Sequence, residues 1–405
     1  MDELPIFTAA LDIRLPWYIK RVHFEFENGV KKLYIQVAHT RRTKFPYEGV
    51  DCPVYDHQER SWKHLNFFQH ECYIYGRIPR VKAPDGTIKL VKVPWAMPGS
   101  SFTLLFEYNV LNLMLEGMSA SSAGRHTGIC GKRVFRIVKR HVGEALCDQG
   151  LSPVKALSVD ETSTRKGHHY LTVLADRQAK KVVGIAPGKS QEAFNQALVA
   201  MEVRGAGRED VRSVTMDMSK SYIAGVCEAM PQADIVFDRF HIAKQLNEAI
   251  DEIRRQEQRQ YNELKGSRYL WLRNNASLTV NQRERVDYLA EAYPTLGQAY
   301  RLRELFKQVM DEALVSTRLR PLNDWIKAAW ASGIKPIQDF VNMLRSHWYG
   351  VKTYFKKVAD NAFAERVNLK IQEIKRIAKG YRNINNFILM IYFHIGGLEL
   401  QTHSK

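Results

Sequence analysis

Two stretches decide the fold: Ala156-Leu157-Ser158-Val159-Asp160-Glu161-Thr162 and, further on, Val211-Arg212-Ser213-Val214-Thr215-Met216-Asp217. In the first, Leu157 and Val159 alternate with Ser158 and Asp160, the two-residue period of a strand. In the second, Val214 and Met216 alternate with Ser213, Thr215 and Asp217. Each run is apolar on one face and ends in an aspartate on its small, polar face. Between them lie His169–Asp176 and Lys181–Ala186, which read as strands joined by links short enough for antiparallel pairing. A helix over Gln191–Val203 follows, with Ser190 as N-cap. A strand–helix–strand crossover makes a parallel, right-handed connection. If the fourth strand lies beside the first, Asp160 and Asp217 come side by side at one sheet edge. Two carboxylates that close repel each other unless a proton or a cation intervenes. Hard oxygen ligands favour Mg²⁺ or Mn²⁺. The plainer alternative is that each aspartate merely ends a strand at a turn.

The 405 residues, 45% of them hydrophobic, suit several globular domains rather than one. A formal net charge of +17 implies a polyanionic partner, most often nucleic acid. Cys52, Cys72, Cys130, Cys147 and Cys227 form no Cys-x-x-Cys pair. An odd, scattered set argues for a reducing cytoplasm and against disulfides or structural zinc. No apolar run approaches membrane-span length, and the N-terminus lacks the order of a signal peptide. A membrane partner is therefore not expected.

Residues 1–100 read as a β-rich module. Val22–Phe26 and Lys32–Val37 alternate around Glu27-Asn28-Gly29-Val30, a strong hairpin signal. A second hairpin is expected where Cys72–Val81 and Lys89–Pro94 flank Pro84-Asp85-Gly86. Residues 101–150 change to helical period, with Leu104, Leu105, Tyr108, Leu111 and Leu115 forming an apolar stripe. A short helix, Ser119–His126, a glycine turn and a helix over Lys132–Leu146 complete a helix-turn-helix pattern. Val134, Ile137, Val138 and Val142 point inward. Lys132, Arg133, Arg136, Lys139 and Arg140 form the outer basic set, the candidate DNA-binding residues. A three-helix bundle with a basic surface has the same pattern, and the net charge favours DNA.

After Asp217, Ser219 caps a helix over Lys220–Met230, and Ala233–Asp238 is a fifth strand. From His241 to about Gly350 the chain reads as helical, with Trp271, Trp325, Trp330 and Trp348 concentrated there as core residues rather than base-stacking platforms. The last segment, Asp360-Asn361-Ala362-Phe363-Ala364-Glu365-Arg366-Val367-Asn368, opens a helix with Val367, Ile371, Ile374 and Ala378 inward and Glu365 off that stripe. Asp360 is placed to cap it, and Glu373 to face solvent.

Val159-Asp160-Glu161, Asp217-Met218-Ser219, Asp238-Arg239-Phe240-His241, Asn361…Ala364-Glu365…Asn368 and Gly380-Tyr381-Arg382-Asn383 together resemble the ISL3 family of bacterial insertion-sequence transposases, and the likeness spans nearly the whole chain. The resemblance implies an RNase H-like mixed-sheet catalytic core carrying three acidic residues, Asp160, Asp217 and Glu365, as catalytic and metal-holding groups. It also implies an all-α insertion between the second and third, and an N-terminal half that binds element ends. Two Mg²⁺ or Mn²⁺ ions would serve cleavage and strand transfer on double-stranded DNA, both transposon ends and target. A homodimer would pair the ends within the nucleoid of a bacterial cytoplasm. Asp238, His241 and Asn368 would stand behind the acidic residues or flank the DNA; a capping or core role for His241 is the alternative.

The resulting organisation is a β-rich module (1–100), a helix-turn-helix (101–150), the first part of the core (151–243), a helical insertion (244–350), the C-terminal core helices (351–398) and a tail (399–405). The family's N-terminal module usually carries two Cys-x-x-Cys knuckles. Here Phe45 to Gly49 and Ala83 to Gly86 stand at those places without thiolates, so structural zinc is not expected. A domesticated DNA-binding protein without recombination activity is the alternative function.

Overall fold

The computed structural model describes residues 4–165, 167–311, 315–357 and 362–400. Asp360 and Asn361 lie outside the described residues. The chain divides into two compact units, one made of the residues up to Gly143 together with the chain end from Glu399, the other spanning Glu144–Leu398.

The first unit opens with α1 (Leu4–Ala10) and continues through β1 (Trp17–Glu27), β2 (Val30–His39), β3 (Lys44–Tyr47), β4 (Val50–Phe67), β5 (His70–Lys82) and β6 (Ile88–Leu90). The Asn-Gly signal is realised: Asn28 and Gly29, at φ 50° and 78°, turn β1 into β2 with Glu27 opposite Val30. The second expected hairpin joins β5 to a short β6, with Arg80 opposite Leu90. Two features differ from the sequence reading. β3 and the 18-residue β4 form a further hairpin, and β2 pairs with β5 in parallel. The resulting order is β1-β2-β5-β4-β3, with β6 beside β5. One face buries Trp17, Leu33, Ile35, Trp62, Ile74 and Trp95. Phe45 and Ala83, which stand where zinc cysteines would, are buried themselves; the Phe45 ring lies 5.6 Å from that of Trp17.

Three helices complete this unit: α2 (Leu104–Leu115), α3 (Ala120–Thr127) and α4, which begins at Gly131 and runs on to Asp148. Ser119 caps α3 by accepting the Ser122 amide, and left-handed Gly128 ends it. Val134, Ile137, Val138 and Val142 are buried, as their helical spacing requires. The Lys63 ammonium donates to Glu71 and to the Gly128 carbonyl, tying β4 to the turn before α4.

The second unit contains β7 (Ala156–Arg165), β8 (His169–Asp176), β9 (Lys181–Pro187), α5 (Gln191–Glu202), β10 (Ser213–Met216), α6 (Lys220–Ala229) and β11 (Asp234–Phe237). Their sheet order is β11-β10-β7-β8-β9. β7, β8 and β9 pair antiparallel, while β10 pairs parallel with both β7 and β11. α5 presses onto one face so closely that a Cβ at Gly184 would stand 2.2 Å from the Ala197 carbonyl oxygen. The crossover through α5 therefore sets β10 beside β7, as expected, but β7 continues through Asp160 to Arg165 rather than ending at the aspartate. Met216 ends β10, so Asp217 lies one residue beyond the strand rather than in it.

A helical region follows: α7 (Arg239–Gln258), α8 (Arg268–Leu272), α9 (Val280–Ala292), α10 (Pro294–Asp311), α11 (Val315–Ala331), α12 (Lys335–Ser346) and α13 (Trp348–Lys357). Trp271 and Trp325 are core residues here; Trp330 is 40% exposed and instead lies beneath the Arg345 guanidinium. Leu246, Ile250, Trp271, Leu302, Phe306, Trp325 and Phe340 share one continuous core with the sheet residues Leu157, Val214 and Phe237. The last helices are α14 (Ala362–Ile377) and α15 (Ile384–Ile395). Val367, Ile371 and Ile374 are buried as expected. α15 starts earlier than its apolar run suggests, because Asn383 caps it by accepting the Asn385 amide.

Candidate active site

Asp160 and Asp217 meet through backbone register. Thr215 of β10 stands opposite Ser158 of β7 in a parallel pair. Two residues further along each chain bring the two aspartates to the same level at the C-terminal end of β10. The polar face they share is buried in the strands themselves: Ser158 is 3% exposed and Thr215 2%. α14 covers it along β7. Asn368 Nδ2 donates to Asp160 Oδ2 at 2.6 Å, Gln372 Nε2 to Thr162 Oγ1 at 2.8 Å, and Lys375 Nζ to the Ser163 carbonyl at 3.0 Å. One side chain per turn of α14 is thus bonded to successive positions of β7.

The carboxylates differ in what holds them. Asp160 Oδ1 accepts its neighbour's amide, Glu161 N, at 2.7 Å. Burial pushes the Asp160 carboxyl up to about 6, and the nearby Asp217 charge adds to the rise. The Glu161 amide, His241 and the Asn368 amide oppose it. Asp217 Oδ1 accepts the Ser219 amide at 3.0 Å, closing the turn into α6. Ser219 itself makes no side-chain cap to that helix.

Asp238 and His241 enter from the next strand end. The Asp238 amide donates to the Met216 carbonyl at 2.9 Å, which fixes it beside Asp217. Its carboxylate caps α7 by accepting the Phe240 amide at 2.9 Å and holds His241 Nδ1 at 3.0 Å. The hydrogen bond to Asp238 raises the His241 pKa, and the charges of Asp160 and Asp217 add to it against the opposing effect of burial. His241 is therefore held by the residue that caps α7, close enough to Asp160 and Asp217 to feel their charges.

Glu365 stands in the first turn of α14, exposed. Among the described residues, no three His, Cys, Asp or Glu side chains converge closely enough to hold a metal ion. Adjacent aspartates with a buried amide oxygen beside them nevertheless have the hard-oxygen character that suits Mg²⁺ or Mn²⁺. Asn368 Oδ1 is that oxygen, buried and without a hydrogen-bond partner among the described residues.

On α4, Lys132, Arg133, Arg136 and Lys139 are exposed. The Arg133 guanidinium lies 5.9 Å from the Phe102 ring centroid. Arg140 differs: it turns inward to pair with the fully buried Glu107 carboxylate, which also binds His141 Nε2 at 2.7 Å and accepts the Ser100 hydroxyl at 2.6 Å. Glu107 is the residue that the sequence reading missed. Its signal was a lone carboxylate inside the apolar stripe of α2, where burial demands a counter-charge.

Comparison with known proteins agrees with both regions. Residues 91–142 match the family model described as the helix-turn-helix domain of transposase family ISL3. A transposase for insertion sequence element IS1001 from Bordetella parapertussis is 29% identical over 286 residues, covering 69% of this chain and 70% of that protein. A transposase for insertion sequence element IS1557 from Mycobacterium tuberculosis is 24% identical over 379 residues, covering 84% of this chain and 82% of its own. Residues 157–391, from the strand that carries Asp160 to the last helix, match the ISL3 family model described as "Transposase", and the chain belongs to that family of transposases.

Proposed function

We propose that this transposase binds the terminal inverted repeats of an insertion sequence and catalyses metal-dependent cleavage and strand transfer of double-stranded DNA. The observation that carries the reading is the placement of Asp160 in β7 and of Asp217 just past the end of the adjacent, parallel β10, with α14 bonded to Asp160. Three antiparallel strands followed by two parallel ones, ordered β11-β10-β7-β8-β9, support an RNase H-like catalytic core. The helices between β11 and α14 fit the place of the family's insertion. Asp160, Asp217 and Glu365 are the residues that would hold the cofactor, two Mg²⁺ or Mn²⁺ ions. Such ions would supply charge neutralisation at the scissile phosphate and a lowered pKa for the attacking water or 3′-hydroxyl.

The protein's own groups then have defined tasks. Asp160 and Asp217 orient the reacting centre through fixed carboxylate oxygens. Asn368 holds Asp160 in place. Asp238 fixes the ring of His241 through Nδ1, and Nε2, without a hydrogen-bond partner among the described residues, would meet a DNA phosphate beside the scissile bond. Pairing two ends calls for a dimer on chromosomal DNA in the bacterial cytoplasm. No helix among the described residues is long and apolar enough to cross a membrane.

The deciding experiment offers the full-length protein a labelled duplex of the repeats that flank its own coding sequence, with Mg²⁺ or with EDTA. Binding is expected in both and nicking only with Mg²⁺. A duplex that is bound tightly yet never cut in Mg²⁺ or Mn²⁺ would establish the binding-only alternative.

The helix-turn-helix carries a separate expectation. Arg133→Ala and Arg136→Ala should each weaken repeat binding and lower the slope of log K against log salt by about one, if each meets a phosphate. Lys132 and Lys139 belong to the same exposed set. Arg140→Ala should instead destabilise the first unit, on the order of 3 kcal/mol, because it strips a partner from buried Glu107. Fluorescence anisotropy over a salt series and thermal melts separate the two effects. An unchanged slope for both Arg133 and Arg136 variants would move DNA recognition elsewhere.

A further inference from the structure

We infer that the side-chain carbonyl of Asn368 is a cation-facing oxygen, so that this residue both holds Asp160 and contributes directly to divalent-ion binding. The inference rests on the reading of Asp160 and Asp217 as metal-holding carboxylates and extends it to a neutral ligand.

The amide has one satisfied end and one unsatisfied end. Its Nδ2 donates to Asp160 Oδ2 at 2.6 Å, while its Oδ1 is buried with no hydrogen-bond partner among the described residues. The orientation is fixed by chemistry. Turning the amide over would set its oxygen against a carboxylate oxygen at the same distance, an oxygen–oxygen contact with no hydrogen bond in place of the one observed. An unpaired buried carbonyl is costly, and native structures rarely retain one without a use for it. Here it lies on the residue that touches Asp160, at the edge of the sheet where Asp217 also arrives.

Amide carbonyls are ordinary ligands of hard divalent cations, and a neutral one adds an oxygen without adding to the repulsion between two aspartates. The neighbouring rungs of α14 make the contrast. Gln372, itself exposed, and Lys375 spend their donors on Thr162 and the Ser163 carbonyl. The rung beside the aspartates differs in that its side-chain oxygen is buried and unpaired among the described residues.

The test measures Mn²⁺ binding to the DNA-free, full-length protein near neutral pH, by electron paramagnetic resonance or calorimetry, with thermal melts alongside. The proteins are wild type, Asp160→Asn, Asn368→Ala, Asn368→Ser and Asn368→Asp. Asn368→Ala should weaken Mn²⁺ binding about 10–100-fold, the range for groups that support a metal site, and Asn368→Ser serves as the truncation should the alanine variant melt early. Asn368→Asp should hold Mn²⁺ within a few-fold of wild type or tighter, because an oxygen remains in place. If the amide only scaffolds Asp160 through its NH₂, Asn368→Asp loses that donor, sets two carboxylates together and binds Mn²⁺ no better than Asn368→Ala. That result, or wild-type affinity in Asn368→Ala, overturns the inference while leaving the carboxylate site standing. Wild-type Mn²⁺ binding that Asp160→Asn leaves unchanged overturns the carboxylate assignment, and this inference with it.

Discussion

Asp160→Asn and Asp217→Asn should each reduce nicking of terminal-repeat DNA by at least about 10³-fold, equivalent to about 4 kcal/mol of transition-state stabilisation, while repeat binding stays near wild type. The two aspartates reach one level through strand register, so neither can replace the other. Asp160→Asn should also make the DNA-free protein more stable at neutral pH. Burial lifts the Asp160 carboxyl to about 6 in the folded state, a penalty on its ionised form of roughly 3 kcal/mol against an ordinary aspartate. An amide escapes that penalty. Its oxygen can accept the Glu161 amide, and its NH₂ can donate to Asn368 Oδ1 once the Asn368 amide turns over.

The direction with pH follows from a raised folded-state value. The group's favourable contribution is complete below the unfolded value near 4 and is lost as pH rises through about 6. The variant's extra stability should therefore be full near pH 8 and vanish near pH 4. Loss of cleavage with an unchanged or raised Tm would mark Asp160 as a residue retained for chemistry at a cost in stability. A variant that cuts at the wild-type rate would sink the site assignment, and one that melts early would show that Asp160 supports the fold.

What could be read in advance follows from how local each determinant is. The adjacency of β7 and β10 was legible because a two-residue period and a capped crossover helix are local patterns with few topological solutions, whereas β7 runs on past Asp160 to Arg165 instead of ending there. The exact end of β10 was not, since Asp217 has the same sequence appearance in a strand or in the turn it closes onto Ser219. β4 escaped notice because its middle, Asp56-His57-Gln58-Glu59-Arg60, is charged and largely exposed, and pairing with β5 rather than apolar alternation makes it a strand. The parallel pairing of β2 with β5 joins segments that are not adjacent in the chain, and no local pattern announces it.

The basic helix shows the same division. Helical spacing identified its inner residues, but spacing assigns a side chain only to a face. The inward turn of Arg140 depends on Glu107, which touches it in space but lies two helices earlier in the sequence. At the candidate site, the aspartates were legible from their matched strands, whereas the bond from Asn368 to Asp160 depends on where α14 docks.

The docking of α14 also bears on the third carboxylate. Asn368, Gln372 and Lys375 each bond to β7, and spacings of four and three keep them on one helical face. Glu365 precedes Asn368 by three, so it is the next position of that face toward the helix start, beyond the rung that holds Asp160. Glu373 lies off the face and is paired with Lys370 at 2.9 Å, which keeps its carboxyl below the usual range. Glu365→Gln is therefore expected to lower nicking by at least about 10²-fold, close to 3 kcal/mol of transition-state stabilisation, in Mg²⁺ and in Mn²⁺ alike. Glu373→Gln should cut at nearly the wild-type rate. Folding does not confound the comparison, because an exposed first-turn glutamate contributes only about 0.3–1 kcal/mol through the helix dipole. Melting curves for both variants should overlay that of the parent, and repeat binding should be unchanged. An active Glu365→Gln protein beside an inactive Glu373→Gln one would mean that α14 presents a different face to the DNA-bound site, two turns further along the helix.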